Sequence, residues 1–411
     1  DNASCTADGW ASLNNNLSIT QFYGVGAHPA GSAVYGGTQD NGSLVWAGSG
    51  TSWRTVAGGD GGASVVDPTD PNFLYGEYVY AAIHRSTNGT SANAFASFIC
   101  AGIEDANKGS CSPTATSEAN FISPIALDPA NPSVMYVGAK RLWRSTNVKA
   151  TTPGWSVFRT QAPDRTPPNA PAYWAYVSAI AISPTNSAVV YVGHNDGRVF
   201  RTTNATSATP TWAELACPSV SYPVWYRQVL RLTVDPANPN IVYAGHGGYN
   251  NNNLWRLDAS GASVVCSNIG SALPPSPIRA IARHPTMATW LYVGTEVGLF
   301  ASEDLGATWK AATDGPVNVS VEELVWQNGT TLIAATHGRG VFKANITTSA
   351  ACSYAVTPNQ LAISKAGGSV TFDVSANFAN CPWSATSYTA HITTTSSGSG
   401  TGQATFSVAP Y

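Results

Sequence analysis

Charge is scarce in this chain: Asp, Glu, Lys and Arg together make up only 10% of its 411 residues, far below the quarter usual in soluble domains. No run of Lys or Arg occurs, and the formal net charge is −3. Neither nucleic acid nor an anionic membrane surface is therefore an expected partner, because each needs a basic footprint. Long hydrophobic runs are missing too. No apolar stretch reaches the ~18 residues of a membrane-spanning helix, so membrane insertion is not expected. Residues 1–20 lack a basic start followed by an apolar run, and the chain reads as a mature, soluble one. The seven cysteines form no CxxC pair, which sets aside zinc ribbons and dithiol redox motifs, and no metal or cofactor is expected.

What is present points to β-structure. The chain has 38 Gly, 26 Pro, 13 Trp and 17 Tyr against 2 Met, a composition that suits short strands and tight turns and serves helices poorly. Cysteines without metal spacing suit disulfides in an oxidising compartment. The expected pairs are Cys100 with Cys111, Cys217 with Cys266 and Cys352 with Cys381, leaving Cys5 over. Connectivity stays open at this level. A secreted or cell-surface location is expected, and the resemblance of the tail given below implies a bacterial one.

A repeat organises most of the chain. Val34-Tyr35-Gly36-Gly37, Leu74-Tyr75-Gly76, Met135-Tyr136-Val137-Gly138, Val190-Tyr191-Val192-Gly193, Val242-Tyr243-Ala244-Gly245, Leu291-Tyr292-Val293-Gly294 and the degenerate Leu332-Ile333-Ala334-Ala335 are seven copies of one strand. Each follows a turn such as DPTDPN or DPANPS, where Pro presets φ and an Asp caps the bend. A third strand follows each copy, as in Leu142-Trp143-Arg144-Ser145, and then a strand opening on Trp53, Trp155, Trp212 or Trp309. Four strands per unit make a propeller blade. Trp10-Ala11-Ser12-Leu13 matches the fourth strand alone, so residues 8–18 are expected to complete the last repeat, which ends at Gly340-Val341-Phe342-Lys343. The expected fold is all-β: a seven-bladed β-propeller closed by its N-terminal strand, plus a small, incomplete Ig-like β-sandwich.

Two motifs carry a family resemblance. The turn Ser302-Glu303-Asp304-Leu305-Gly306-Ala307-Thr308-Trp309 resembles the Asp box of sialidases, two-propeller xyloglucanases and sortilin-like receptors. Ser86-Thr87-Asn88-Gly89, Ser145-Thr146-Asn147 and Thr202-Thr203-Asn204 look like worn copies. The resemblance implies that Ser302, Asp304, Gly306, Thr308 and Trp309 are structural and lie opposite the ligand face. In the tail, Cys352-Ser-Tyr354, Gly367-Gly368 and Cys381-Pro382-Trp383-Ser384-Ala385 resemble a BACON domain, an Ig-like module attached to bacterial secreted glycan-processing proteins. The boundaries are residues 1–348 for the propeller and 349–411 for the sandwich. The last strands of that family are absent after Tyr411, so an open edge is expected to invite another chain.

In a propeller, the loops between second and third strands and the links between blades open on one face. Those positions hold Gln39, Asp40, Asn41, Asp60, Glu77, Tyr78, Tyr80, Glu118, Trp174, Tyr176, His194, Asn195, Asp196, Trp225, Tyr226, Arg227, His246, Tyr249, Arg279, Glu296, Glu322, His337 and Arg339. Aromatic rings stack on sugars, and carboxylates from different blades can serve as acid and base across a glycosidic bond. Asp40 and Asp60 are the candidate catalytic pair. Asp40 sits near the place where xyloglucanases, by the resemblance, carry an aspartate base. The competing reading makes both aspartates caps of glycine-rich turns. His194, His246 and His337 follow homologous strands, with loop hydrogen bonding placed ahead of metal binding. No Arg-Ile-Pro signature of a sialidase occurs.

Two functions remain from this reading. One is a secreted, glycan-interacting protein that binds extracellular polysaccharide, with glycoside hydrolysis left open. The other is a non-enzymatic extracellular structural or adhesion protein assembling through its C-terminal sandwich.

Overall fold

The structure, a computed structural model, describes residues 19–346 and 353–410, apart from 90, 92–94, 96, 107–108, 112–116, 162–174, 225, 314 and 377–380. The chain divides into two compact units, Asp1–Ile346 and Thr347–Tyr411. Both are β-structure, with a short 3-10 turn at Pro218–Val220 in the first.

The first unit is a series of antiparallel sheets, each made of consecutive strands in chain order. The first sheet runs Phe22–Ala27, Val34–Thr38, Gly42–Trp46 and Trp53–Ala57. Five further four-stranded sheets begin at Ser64–Val66, Ile125–Leu127, Val177–Ser183, Val229–Val234 and Ile278–Arg283. A last sheet of three described strands begins at Ser320–Gln327 and ends at Val341–Asn345. The repeated Tyr-containing segments are the second strands. The segment Trp10–Leu13, expected to add a fourth strand to the last sheet, lies outside the described residues.

The sequence features of the repeat each have a local cause. In the turn before the second strand, Asp67 Oδ1 accepts the N–H of Thr69 at 2.8 Å and of Asp70 at 3.1 Å. Asp128 and Asp235 do the same for Ala130 and Ala237, both at 2.9 Å. His284 Nδ1 takes their place in a later copy, accepting from Thr286 and Met287. Any short acceptor at that position fixes the bend. The glycine after the Tyr serves packing between sheets. A Cβ on Gly294 would stand 2.5 Å from Val321 O, and one on Gly138 would stand 2.7 Å from Val177 Cγ1, each on the first strand of the next sheet.

The apolar core accordingly lies between sheets. One cluster joins Tyr35 and Val45 to Leu74, another joins Tyr136 and Leu142 to Val177 and Val190, and a third joins Tyr243 and Leu254 to Ile278 and Leu291. The last cluster joins Phe22, Val25 and Leu44 of the first sheet to Ile333 and Ala335 of the final one. Between the same two sheets, Gln21 forms an antiparallel bridge with His337. First strands pack against the first strands of the sheets that follow, and Phe22–Ala27 packs against Ser320–Gln327.

Two disulfides join Cys100 to Cys111 and Cys217 to Cys266. The second ties the segment between two sheets to the last strand of the following one, Val265–Asn268. Disulfides fit a secreted or extracellular protein, and no described helix is long and apolar enough to cross a membrane. Cys381 is also disulfide-bonded, while Cys352 and Cys5 lie outside the described residues.

The turn from Ser302 to Trp309 is a closed hydrogen-bond circuit. Ser302 Oγ donates to Asp304 Oδ1 at 2.8 Å, and Asp304 accepts the Thr308 N–H at 2.8 Å and the Thr308 hydroxyl at 2.7 Å. Gly306, at φ 89, gives its N–H to Ser302 Oγ. Trp309 Nε1 donates to Ile269 O in the preceding sheet at 2.9 Å. In the worn copies an amide does the same work: Asn147 Oδ1 accepts the Gly154 N–H and Asn204 Oδ1 accepts the Thr211 N–H, both at 2.9 Å.

In the second unit a four-stranded sheet has the order Tyr354–Thr357, Gly368–Ala376, Gly402–Val408, Ile392–Thr393, beside a two-stranded ladder of Pro382–Ser384 and Ser397–Ser399. Its strands alternate. Phe372, Val374, Ala404 and Phe406 share one face with Trp383, lining an apolar cavity of about 500 Å³. Thr371, Asp373, Gln403 and Thr405 occupy the other face and bond to one another across it.

Candidate functional site

The first strands of the seven sheets line a single cavity of about 520 Å³ in the first unit. Its chemistry is set by a repeated irregularity. The register shifts near the start of the first strand in five sheets, at the second residue for Tyr23, Ser178, Leu230 and Arg279 and at the third for Glu322. A β-bulge inserts one unpaired residue and re-aims its side chain. All five residues line the cavity.

Two arginines and three glutamates form one network there. Arg279 binds Glu296 Oε1 through Nη2 at 2.6 Å and Glu322 Oε2 through Nη1 at 3.2 Å. Arg231 binds Glu323 Oε2 at 2.9 Å and donates to the backbone carbonyls of Arg279 and Glu322 at 3.1 Å each. The Tyr249 hydroxyl donates to Glu296 at 2.6 Å. Both cations are therefore held by carboxylates of this chain. Burial pushes the Glu323 carboxyl above the usual range, with Arg231 opposing it.

Aromatic rings meet beside this network. The Phe121 ring lies edge-on to Tyr80 at 5.4 Å and 6.5 Å from that of Tyr23, which is 5.4 Å from the His337 ring. Phe121 is 43% exposed, so the group presents ring surface to solvent. Partial burial raises the Tyr23 phenol pKa, and the nearby carboxylates of Asp60, Asp40 and Glu322 add to the rise. Aromatic faces, carboxylates and the Asn120 amide thus converge on one cavity.

The residues singled out in the sequence fall into three groups. Arg279, Glu296, Glu322, Tyr249 and His337 join the arrangement just described, and exposed Asp40 and half-buried Asp60 stand near it through Tyr23. Several others are interior. His194 is fully buried, with Nδ1 on Ala175 O at 2.7 Å and Nε2 on Arg159 Nη1 at 2.9 Å, and burial with the Arg159 charge lowers its pKa to about 3. Asp196 is ion-paired with the fully buried Arg198 at 2.6 Å. His246 is buried beside Tyr222, and its pKa falls to about 4 by desolvation. Glu77 is buried under the Tyr78–Ala82 loop. The rest are peripheral: Arg227 donates to Asn252 and Asn253, Arg339 to Val317 O, Glu118 pairs with Lys140, and Tyr78, Tyr176 and Tyr226 keep some exposure. Trp174 and Trp225 lie outside the described residues. Among those described, no cluster of three His, Cys, Asp or Glu side chains could hold a metal ion.

Loop positions alone did not reveal Tyr23, Phe121, Arg231 and Glu323. For Tyr23, Arg231 and Glu323 the signal was a charged or aromatic residue close to the start of a first strand, whereas Phe121 lies in the segment before its sheet's first strand. In this series of sheets that strand lines the cavity. No protein-family model matches the chain, and no curated protein matches it.

Proposed function

We propose that the chain is a secreted, glycan-binding β-propeller of seven blades that recognises extracellular polysaccharide without cleaving it. Support for the closed seven-bladed ring comes from the cluster joining Phe22 and Leu44 to Ile333 and from the Gln21–His337 bridge. The Asp-box resemblance agrees with that reading, and the BACON-like tail agrees with a bacterial glycan-processing context.

One observation carries the functional reading: bulged strands deliver Tyr23, Arg279 and Glu322 to a cavity whose rim holds Phe121 and Tyr80. Rings stack on sugar faces while fixed carboxylates, amide and guanidinium groups bond to hydroxyls. Binding is favoured over hydrolysis by the state of the carboxylates. Glu296 and Glu322 share Arg279, and Glu323 pairs with Arg231, so each is held by an internal partner. Glu77, whose pKa is raised to about 8 by burial, has no exposed surface from which to protonate a leaving group.

The test is a polysaccharide array read in parallel for binding and for reducing-end release, with Phe121→Ala beside wild type. Binding lost in Phe121→Ala, without sugar release by wild type, is expected. Release would overturn the non-hydrolytic reading, and silence in both channels would overturn glycan recognition altogether.

A second reading, assembly through the tail unit, is favoured by the 45% and 48% exposure of Tyr354 and Val356 beside the apolar cavity there. Sedimentation equilibrium of wild type against Val356→Asp tests it, a concentration-dependent oligomer lost in the variant being the supporting result.

A further inference from the structure

Glu77 ends the second strand of its sheet, Leu74–Glu77, and its side chain has no solvent exposure. Its Oε1 accepts two backbone N–H bonds from different parts of the chain: Ala81 at 3.2 Å, in the loop after its own strand, and Ser123 at 3.1 Å, in the segment leading to the next sheet. Those two segments carry Tyr80 and Phe121. They also touch directly, because the Tyr80 N–H donates to Phe121 O at 3.0 Å. Tyr80 and Ala81 are consecutive non-glycine residues in the left-handed region, at φ 54 and φ 62. Side chains adopt that conformation rarely, and surrounding structure must impose it.

We infer that Glu77 is a positioning residue for the aromatic rim: its buried carboxyl ties the Tyr78–Ala82 loop to the Phe121 segment and so sets the Tyr80–Phe121 pair. The sugar-binding consequence rests on the function proposed above; the tie itself does not. The second carboxyl oxygen, Oε2, has no hydrogen-bond partner among the described residues and packs against Gly62, where a Cβ would overlap it. An anion there would be uncompensated, which favours the protonated acid. Burial raises its pKa to about 8 against the backbone N–H groups of Ser123, Ala81 and Ala63, which lower it, and the Asp60 charge adds a smaller rise. Ionisation in alkaline solution makes the carboxyl a stronger acceptor but leaves a buried anion, so opening of the loop to water becomes easier.

Amide hydrogen exchange, corrected for intrinsic rates, tests this in the intact chain without any ligand. In wild type the Ala81 and Ser123 amides are expected to be protected at pH 7 and to lose at least tenfold in protection by pH 9.5. Glu77→Gln keeps a carbonyl acceptor and removes the titration, so its protection should match wild type at pH 7 and stay level with pH. Glu77→Leu should lose protection at both amides at either pH while distant strands stay protected. A parallel arm titrates cellohexaose, the binding probe, into each protein: Glu77→Leu should bind at least tenfold more weakly and Glu77→Gln like wild type. If wild type fails to bind cellohexaose, the exchange arm still decides. Equal protection in all three proteins, or a Glu77→Gln that behaves as Glu77→Leu does, overturns the inference.

Discussion

The carboxylate of Asp60 accepts the backbone N–H of Asp40 at 2.9 Å. Asp40 itself adopts φ 58 in the turn between two strands of the first sheet, so one aspartate caps the turn in which the other sits. Their roles in stability should then be unequal. Asp60→Ala is expected to lower unfolding free energy by about 1 kcal/mol, the value of a backbone cap. Asp40→Asn should change it by less than about 0.5 kcal/mol, because asparagine tolerates the left-handed region and the donor is backbone. Urea titrations of the two variants check the difference, and equal losses would remove the capping role of Asp60.

Asp196 and Arg198 form the most buried ion pair among the described residues, with Nε–Oδ2 at 2.7 Å and both side chains about 1% exposed. Removing the anion strands a guanidinium that has no access to water. Asp196→Ala should therefore cost about 3–5 kcal/mol. The double variant Asp196→Ala/Arg198→Met should recover a large part of that, since it leaves no unpaired charge. Denaturant midpoints of the single and double variants measure the coupling, and a double variant less stable than Asp196→Ala would show that the arginine is held by something else.

The repeat was legible because each of its marks has a local cause. Tyr fills the space between sheets, the following Gly admits the next strand, and Asp or His caps the turn, so period and strand order could be read from spacing alone. The cavity was harder. Loop-based placement reached Arg279, Glu296, Glu322, Tyr249 and His337 but also collected His194, Asp196 and His246, which are buried with interior partners. Polar residues near strand ends look alike in sequence whether they face solvent or a neighbouring sheet, and only packing separates them. Tyr23 and Glu323 were missed for a related reason. A bulge shifts the two-residue alternation by one, so the face a residue occupies cannot be counted from its strand's apolar pattern.

The Asp304 turn makes a prediction about acid. Its carboxylate is held down to about 2, from 3.8, first by the Thr308 hydroxyl and then by the Thr308 N–H and Ser302. A depressed carboxyl pKa means that the folded state prefers the anion. Its contribution is present above pH 4 and is lost as pH falls towards 2. Asp304→Ala should accordingly melt below wild type at pH 7, and the gap should narrow between pH 4 and pH 2. Thermal melts across that range test it, and a gap that stays constant would assign the loss to packing instead of charge.

Selectivity for the charge of a polysaccharide follows from the cavity network. Arg231 and Arg279 meet Glu296, Glu322 and Glu323, and Asp40 and Asp60 stand close to Tyr23 at the rim. Carboxylates outnumber guanidinium groups, and each guanidinium already has a partner, so a uronic acid would find no free cation and would meet the field of the rim aspartates. A neutral chain suffers no such opposition and can use the rings. One unfavourable contact of about 1.4 kcal/mol is a factor of ten in affinity. An acidic polysaccharide is therefore expected to bind at least about tenfold more weakly than a neutral one of equal length. Raising salt from 20 to 500 mM should narrow that gap by screening while leaving the neutral ligand unaffected. Glu322→Gln should narrow it too, by releasing part of Arg279 to the ligand. Calorimetric titrations with matched neutral and acidic oligosaccharides measure both effects. Tighter binding of the acidic chain would mean that the arginines exchange their internal partners for the ligand, and the network would then be a carboxylate receptor.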